Sequence, residues 1–210
     1  MARPHKAFEE SRVRRVDEID RARSREYALL ATLLSRSPDA RMLGRLALLR
    51  GDASPLGMAH AALAEVAAKA NAEAAQAEYF DLFDGLGRSR FLPYASYYLT
   101  ASLYGRPLAR LRQALRNLGL EQVEQHFEPE DHAAILCEIM AGLAGEQIAA
   151  PAEAEREIFE LHLAPWIGRF FADLERAESA RFYARVGALG RTFVEIETTA
   201  FTLPASRQVR

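Results

Sequence analysis

The sequence predicts an all-α protein, a single globular domain of about eight to ten helices. Wherever bulky apolar residues recur in the 210-residue chain, they recur at the helical spacings of three and four. No segment alternates apolar and polar residues as a half-buried strand does, and no Asn-Gly hairpin turn occurs. No internal repeat is evident, and the chain is long enough for one substantial core.

The first residues differ in composition from the rest of the chain. Residues 1–24 mix arginine with acidic residues and carry few apolar anchors, so we expect a mobile, arginine-rich arm. Residues 25–203 are predicted to form the helical domain, and residues 204–210 a disordered tail. The first predicted helix ends at Ser37-Pro38 and places four apolar residues on one face, Tyr27, Leu30, Ala31 and Leu34.

Two more helices are predicted between Pro38 and Gly85. A short helix over Met42–Leu49 precedes the breaker run Gly51–Pro55. A long alanine-rich helix then runs from about Met58 to Phe83, and Gly85 and Gly87 end it. Its bulky members are Leu63, Val66, Tyr79, Phe80, Leu82 and Phe83.

An aromatic segment follows the second of these helices. The loop Arg88–Pro93 leads into Tyr94–Leu99, which is rich in tyrosine. Aromatic residues in a loop between helices are by default core, but they are also typical of a peptide groove. The chain then restarts at Gly105-Arg106-Pro107 for a helix over Leu108–Leu118, which Gly119 ends.

The segment Glu128–His132 is predicted to open the next helix. Proline is favoured at the first helical position, and acidic residues suit the positive end of the helix dipole. The helix continues to about Gly145 with Ile135, Leu136, Ile139, Met140 and Leu143 on its apolar face. Helical phase places His132 within this face and Asp131 near its edge. A hydrogen-bonded core histidine and a polar pair facing an apolar cleft both fit this pattern.

Three further helices complete the predicted domain. Pro151 opens one, Pro165-Trp166 opens the next, and the last spans roughly residues 182–196. We expect a continuous core with contributions from all parts of the domain: Leu30, Leu34, Phe80, Phe83, Leu111, Leu136, Ile139, Phe170 and Phe193.

Charge and composition exclude several classes of protein. The formal net charge is −2 and the pI about 6.2, so no overall field attracts nucleic acid, and we expect no nucleic-acid partner. No segment reaches the roughly 20 apolar residues of a membrane span, so we expect no membrane insertion. Arg14-Arg15 is followed by the acidic run Val16–Asp20 rather than an apolar region. We therefore expect a protein that stays in the cytoplasm.

The sequence lacks the usual signatures of catalysis and of cofactor binding. No phosphate-binding loop or His-Glu-x-x-His motif occurs, and Gly85-Leu86-Gly87 lacks the third glycine of a dinucleotide fingerprint. The single cysteine, Cys137, reads as a small buried hydrophobe. His126, Glu128, Asp131 and His132 could donate to a cation, but ligands crowded into one loop rarely enclose a metal. We expect no cofactor, no metal and no catalytic residue.

Several motifs resemble the TorD/DmsD/NarJ family of cytoplasmic redox-enzyme maturation chaperones. Five segments occur in the family's order: Tyr79-Phe80-Asp81-Leu82-Phe83-Asp84-Gly85, Leu92-Pro93-Tyr94-Ala95-Ser96-Tyr97-Tyr98-Leu99, Arg106-Pro107-Leu108, Leu118-Gly119-Leu120 and Glu128-Pro129-Glu130-Asp131-His132. The later segments are similar to the TorD branch: His162-Leu163-Ala164-Pro165-Trp166, Phe170-Phe171-Ala172-Asp173-Leu174-Glu175 and Phe182-Tyr183. The resemblance covers roughly residues 26–201.

The resemblance implies an all-helical fold and a job that is not enzymatic. Members of the family bind the twin-arginine signal peptide of a molybdenum-cofactor oxidoreductase subunit and hold it until the cofactor is inserted. Their peptide-binding surface includes residues that match Pro93, Tyr94, Ser96, Asp131 and His132. The chain departs from the family at Ala95, where a glycine is common, and we expect this residue to stiffen the loop.

A mechanism follows from the chemistry of such a peptide. We expect the carboxylates of Glu128, Glu130 and Asp131 to form a rim that pairs with the two arginines. We expect the apolar part of the peptide to bind Leu92, Tyr94 and Tyr98, with His132 orienting an acid or donating to a peptide carbonyl.

Two other functions stay open at this point. One is a helical enzyme or a nucleotide- or cofactor-binding protein that uses Asp131 and His132. The other is a generic helical adaptor whose arginine-rich arm binds an acidic partner. The C-terminal pattern resembles chaperones of formate dehydrogenase, which implies such an enzyme as the client, and both a monomer and a domain-swapped homodimer stay open.

Overall fold

The computed structural model of the protein describes residues 18–84, 91–120 and 128–203. Every regular element in these ranges is helical, and one isolated antiparallel bridge joins Tyr94 to His132. The all-α prediction is therefore confirmed.

Ten α-helices and two π-helical segments make up the described ranges. In chain order they are α1 (Glu18–Ser35), α2 (Ala40–Leu46), α3 (Pro55–Lys69), α4 (Ala72–Tyr79), the first π segment (Phe80–Asp84), α5 (Ala95–Thr100), α6 (Gly105–Asn117), α7 (Ala133–Ala144), α8 (Ala154–Ile158), the second π segment (Phe159–Leu163), α9 (Ala164–Glu175) and α10 (Phe182–Thr202).

The first helix begins earlier than the predicted boundary at residue 24. Helix α1 starts at Glu18, and both Asp20 and Ser24 are buried in it. The hydroxyl of Ser24 donates to the carbonyl of Ala141 on α7 at 2.8 Å. The assignment of residues 18–24 to a mobile arm is therefore wrong, because polar side chains rather than apolar ones anchor this turn. Residues 1–17 and the predicted tail 204–210 lie outside the described residues.

The predicted long helix over Met58–Phe83 is two helices and a π segment. Ala70 is extended (ψ 150°), and the side chain of Asn71 accepts a hydrogen bond from the backbone of Ala74 at 2.7 Å. This N-cap starts α4 as a separate helix. Phe80, a predicted core residue, is 44% exposed. The predicted stop at Gly85 and Gly87 lies outside the described residues.

The core forms where the long helices pack against one another. Helix α1 packs on α7, and α10 packs on α9 and α3. The largest side chains in this core are fully buried and include Trp166, Tyr27, Tyr183, Phe159, Phe170 and Phe171. Of the predicted core residues, Leu30, Leu34, Leu111, Leu136, Phe170 and Phe193 are buried, whereas Phe83 and Ile139 pack at the edge of the core.

Helices α9 and α10 approach so closely that one position requires glycine. A Cβ atom on Gly187 of α10 would lie 2.5 Å from the backbone nitrogen of Glu175 and 2.8 Å from the carbonyl oxygen of Phe171. Backbone atoms cannot move aside as a flexible side chain can. The absence of a side chain at Gly187 thus sets the distance between the two helices.

Arg23 lies at the centre of a buried ionic cluster between α1, α8 and α10. Its guanidinium donates to both carboxylate oxygens of Glu197 at 2.8 and 2.7 Å, and also to Glu155 and Asp20. The hydroxyl of Tyr27 donates to Glu197 at 2.9 Å. Buried charges of this kind are tolerated only when they are paired and hydrogen-bonded, as they are here.

Within residues 18–84, 91–120 and 128–203, no helix combines the length and the apolar character that a membrane crossing needs.

Candidate functional site

The predicted site residues come from two segments that pair through their backbones. The carbonyl of Pro93 accepts a hydrogen bond from the amide of Ala133 at 2.7 Å, and the carbonyl of Asp131 accepts one from the amide of Ala95 at 2.9 Å. Tyr94 and His132 face each other in this antiparallel pairing. The two segments, about 35 residues apart in sequence, therefore meet as expected of one peptide-binding surface, but Asp131 and Ser96 are buried and do not share a partly exposed cleft with Tyr94.

His132 caps helix α7 rather than lying on its apolar face. Its backbone is extended (φ −67°, ψ 139°), and its Nδ1 accepts a hydrogen bond from the amide of Ala134 at 3.1 Å. The prediction that Pro129 opens the helix is wrong, because Pro129 instead begins a turn closed by the amide of His132. An imidazole that accepts at Nδ1 carries its proton on Nε2 when neutral.

Asp131 is buried and caps helix α5 from a distant segment. It is 1% exposed, and its Oδ2 accepts a hydrogen bond from the amide of Ser96 at 2.8 Å. The side chain of Tyr94, the N-cap residue of α5, makes no capping hydrogen bond. A carboxylate at a helix start satisfies an amide and suits the helix dipole. The expectation of a partly exposed Asp131 in an acidic rim is therefore wrong.

Ser96 is also buried, and its hydroxyl shapes the turn that follows α5. Its Oγ accepts a hydrogen bond from the amide of Tyr104 at 3.0 Å. Tyr104 has a φ of 68° and Ala101 a φ of 56°, a conformation that costs energy for residues other than glycine. Ser96 helps to hold this strained turn, and its buried side chain is not available to a bound peptide.

Three more of the predicted site residues have contacts of their own within the protein. Glu130 forms a bidentate ion pair with Arg112, whose Nε lies 3.0 and 2.9 Å from its two carboxylate oxygens. Tyr98 packs on Trp166 and Phe170 of α9 and donates to Asp173 at 3.1 Å. Leu92 is half-buried, and its carbonyl accepts a hydrogen bond from the amide of Tyr94 at 2.8 Å.

Tyr94 and Glu128 remain on the accessible side of the paired segments. The Tyr94 hydroxyl donates to the Glu128 carboxylate, and its ring meets the His132 ring edge-on at 5.1 Å. Burial and the Glu128 carboxylate both raise the pKa of Tyr94, so the phenol stays protonated.

A groove opens along this accessible side. Two adjoining cavities of about 460 Å³ each share five described lining residues, Ser35, Arg36, Tyr79, Glu128 and His132. We call the combined feature the aromatic groove, since Tyr79 and Tyr94 line it together with Phe80 and Phe83. Pro93 lies in its wall.

Helix α7 forms the other end of the aromatic groove. Four of its residues line the groove, Ala134 among them, and the other three follow the three-residue spacing of one helical face: Ile135, Glu138 and Ala141. Glu138 is exposed there. Glu138 and Arg36 were not predicted as site residues from the sequence. The helical phase of α7 could have identified Glu138.

The charges around the aromatic groove are mixed. Burial lowers the pKa of His132, an effect that the nearby Glu128 and Asp131 carboxylates oppose. The neutral ring agrees with its role as an acceptor for the amide of Ala134. The exposed carboxylates of Glu128 and Glu138 thus face a neutral imidazole and the guanidinium of Arg36.

The described residues offer no ligand set for a metal. Across residues 18–84, 91–120 and 128–203, no three His, Cys, Asp or Glu side chains come together as a metal site would need. His126 of the weighed cation set lies outside these ranges. Burial raises the pKa of the Cys137 thiol to about 12, so this thiol is held in its unreactive form.

Comparisons with known proteins agree on one family. The sequence model of the family described as "Nitrate reductase delta subunit" matches residues 49–172. The "Chaperone protein TorD" of Vibrio cholerae serotype O1 is 28% identical over 128 residues, which cover 57% of this chain and 58% of that protein. The match thus spans less than two thirds of that relative.

Longer alignments were found with another relative and with a solved structure. The "Chaperone protein TorD" of Shewanella pealeana is 28% identical over 203 residues, which cover 86% of this chain and 90% of that protein. A crystal structure of a candidate redox enzyme maturation protein from Archaeoglobus fulgidus superposes with a TM-score of 0.55 at 22% identity. It covers 88% of this chain and 99% of that one, which shows a shared fold.

Proposed function

The chain belongs to the nitrate reductase delta subunit family, and from this premise we propose that it is a maturation chaperone without catalytic turnover. Its client in this proposal is the catalytic subunit of a molybdenum-cofactor oxidoreductase, with a formate dehydrogenase as the preferred candidate. It holds the client's twin-arginine leader in the cytoplasm until the cofactor is inserted. The names of the TorD relatives support the chaperone assignment.

The aromatic groove is the observation that carries the proposal. Side chains of Tyr79, Phe83 and Tyr94 offer apolar area, the two tyrosines add polar hydroxyl tips, and Phe80 is exposed beside them. Such surfaces suit an apolar helix or an extended peptide, because rings supply contact area at a low cost in side-chain entropy. The apolar part of a leader fits this end of the groove.

In the proposal, the acidic residues that bind the leader's arginines differ from those that the sequence suggested. Asp131 is buried and Glu130 is paired with Arg112, so in the proposal Glu128 and Glu138 receive the guanidinium groups. Charge-assisted pairs in a partly desolvated groove are roughly twice as strong as neutral hydrogen bonds. In the proposal the Nε2–H of His132, free because Nδ1 accepts the amide of Ala134, donates to a leader carbonyl.

Titration calorimetry with the leader of the molybdoenzyme subunit encoded nearest to this chain tests the proposal. We expect Tyr94→Ala and Glu138→Gln each to weaken binding by about 1–3 kcal/mol. Glu65→Gln, on the exposed face of α3, is the control and should bind as the unmodified protein does.

The charge requirement is tested on the peptide rather than on the protein. A leader with both arginines replaced by lysine keeps the charge but loses the bidentate geometry, so it should bind more weakly than the natural leader. Equal affinity of the unmodified protein and both groove variants for the natural and the lysine leader would refute the placement of arginines in the aromatic groove. If the unmodified protein does not bind the natural leader, the chaperone assignment for that client is refuted.

A further inference from the structure

Helix α6 exposes four arginines and contains no acidic residue. Its three buried leucines lie on one face, and the charged side chains lie on the remaining, exposed surface: Arg106, Arg110, Arg112 and Arg116. Arg112 pairs with Glu130. Arg106 and Arg110, one turn apart and opposite the leucines, form no ion pair with the described residues. The outer surface of α6 is therefore basic.

The turn that leads into α6 presents two apolar side chains to solvent. Leu103 is 37% and Tyr104 is 58% exposed. The backbones of Ala101 and Tyr104 have positive φ, and the hydroxyl of Ser96 holds the amide of Tyr104. Strained backbone of this kind clusters at functional sites, yet leader binding in the aromatic groove does not use this turn. A fixed backbone with exposed apolar side chains is a preorganised contact surface.

The apolar turn adjoins further exposed residues of α5, α9 and the second π segment. Leu99, Arg110 and Leu161 line one cavity of about 390 Å³, and both leucines are exposed. The exposed Arg169 of α9 donates to the carbonyl of Tyr98, the residue before Leu99, at 2.8 Å. We call the following residues the basic-apolar patch: Leu99, Leu103, Tyr104, Arg106, Arg110 and Arg169.

The basic-apolar patch is positive, although the whole chain has a formal net charge of −2. Its three arginines form no ion pair with the described residues. Two exposed carboxylates lie nearby: Glu157 in the wall of the cavity, and Asp173, which accepts a hydrogen bond from the hydroxyl of Tyr98 at 3.1 Å. The arginines outnumber them. A local charge opposite in sign to that of the molecule orients it towards an anionic partner.

The combination of arginines with exposed apolar side chains favours one kind of anionic partner. Nucleic acid presents phosphates, but it offers exposed leucines no apolar layer. A bilayer that contains anionic lipids presents phosphates and, directly beneath them, hydrocarbon. Tyrosine is common at that depth, because its ring is apolar and its hydroxyl is polar.

We propose that the basic-apolar patch docks the protein on the surface of an anionic phospholipid bilayer. Arg106, Arg110 and Arg169 pair with lipid phosphates, while Leu103 and Tyr104 enter the headgroup region. No helix crosses the bilayer in this arrangement. The patch shares no residue with the described lining of the aromatic groove, so docking does not depend on leader binding.

Cosedimentation of the full-length protein with sucrose-loaded vesicles tests the docking. One set of vesicles contains equal parts of phosphatidylglycerol and phosphatidylcholine, and the other contains phosphatidylcholine alone. We expect saturable binding to the anionic vesicles and about tenfold weaker binding to the neutral ones. Raising the salt from about 0.1 M to about 1 M shortens the Debye length from about 10 Å to about 3 Å, so it should release most of the bound protein.

A matched pair of double variants locates the charge. An arginine near an anionic surface strengthens binding roughly fivefold, so Arg106→Gln with Arg110→Gln should weaken binding about tenfold or more. The control is Arg41→Gln with Arg45→Gln, two exposed arginines at the same spacing on α2, which should bind as the unmodified protein does. A cooperative thermal unfolding profile checks that each variant is folded.

A fluorophore at the turn tests whether the apolar side chains enter the bilayer. Cys137 is buried and its thiol is unreactive, so nitrobenzoxadiazole can be attached selectively to Leu103→Cys. We expect a blue shift of its emission on anionic vesicles. The control label at Leu48→Cys, an exposed position after α2, should keep the emission that it has in water.

Three results would overturn the proposal. They are the absence of binding to anionic vesicles, an equal loss of binding in the two double variants, and a label at residue 103 that keeps its emission on the vesicles. Retention of the protein by RNA or by polyglutamate as strong as on anionic vesicles would assign the patch to an acidic polymer, which also contradicts the proposal.

Discussion

A single carboxylate, Asp131, holds the aromatic loop against the start of α7. Its side chain caps α5 through the amide of Ser96, and its carbonyl accepts the amide of Ala95. Its neighbour His132 caps α7 in the same turn. The Asp-His pair therefore positions Tyr94, and of the two residues only His132 lines the aromatic groove.

Removal of the Asp131 side chain should destabilise the protein measurably. In Asp131→Ala the buried amide of Ser96 loses its acceptor, which we expect to lower the free energy of unfolding by about 1–3 kcal/mol. Urea denaturation followed by circular dichroism gives this difference. Asp131→Asn retains an acceptor oxygen and should lose less than Asp131→Ala; equal losses would contradict the capping role.

The cap formed by His132 should make stability depend on pH. Because burial lowers the pKa of His132 in the folded state, folding disfavours the protonated ring. Its contribution is complete above the unfolded pKa of about 6.5 and is lost as the pH falls through the lower folded pKa. The carboxylates of Glu128 and Asp131 and the phenol of Tyr94 face this ring and stay in both proteins compared.

His132→Asn isolates this pH dependence. Asparagine is a good N-cap and does not titrate, so the variant should not show the loss that His132 causes in acid. The free energies of unfolding of the two proteins are measured in urea between pH 7.5 and 5, a window of about one to two units around the reference pKa. As the pH falls, we expect the variant to become more stable relative to the unmodified protein. His60, whose pKa is raised by Glu26, is present in both and cancels. Parallel curves would rule out His132 as the source.

At the scale of elements, helices α9 and α10 show how a missing side chain sets a packing distance. Gly187 and Gly190 lie one turn apart on α10, and both face Phe171 of α9. A Cβ at Gly187 would meet backbone, whereas Gly168 on α9 has no neighbour within 4 Å of its virtual Cβ. Gly187 and Gly168 therefore differ in physical role, although both lie inside helices.

Alanine substitutions at these two glycines should have opposite effects. Gly187→Ala must push α9 and α10 apart, so we expect a loss of about 1–3 kcal/mol of stability. Gly168→Ala adds no clash and gains helix propensity, so we expect a gain of about 0.5–1 kcal/mol. Midpoints of urea unfolding compare them directly. A similar shift in both would mean that the helix contact is not tight.

At the scale of the whole molecule, the Arg23 cluster ties the N-terminal helix to the C-terminal one. Arg23 on α1 pairs with Glu197 on α10, 174 residues away, and with Glu155 on α8. Glu197 is 1% exposed, so its charge depends on Arg23 and on the hydroxyl of Tyr27. The cluster closes the fold across nearly the full length of the described chain.

Breaking this cluster should cost far more than breaking an exposed one. Arg23→Gln leaves buried carboxylates without their cation, so we expect a loss of about 3–5 kcal/mol. Arg191→Gln removes a comparable pair with Glu175 and Glu195 at the surface, for which we expect about 0–1 kcal/mol. Equal losses in chemical denaturation would show that burial does not determine the strength of these pairs.

Most helices followed from apolar periodicity, but α5, in the segment expected to be an aromatic loop, did not, nor did three boundaries, one of which is the start of α7 at Ala133 rather than Pro129. Helix α1 extends back to Glu18 because Arg23 and Ser24 bond to distant residues, and no local pattern reports such contacts. The break at Asn71 had a local cap signal, yet the alanine-rich periodicity continued through it and hid the signal. Periodicity identifies helices better than it locates their ends.

The sequence by itself determined the helical class, much of the core and the meeting of the Pro93–Ser96 and Asp131–His132 segments. Only the tertiary structure decided which side chains of those segments face solvent. Asp131 and Ser96 turn inward because the start of α5 and one strained turn need buried acceptors, and Tyr94, Glu128 and Glu138 remain to line the groove. Burial depends on what packs from elsewhere in the chain, so no local pattern could have assigned it.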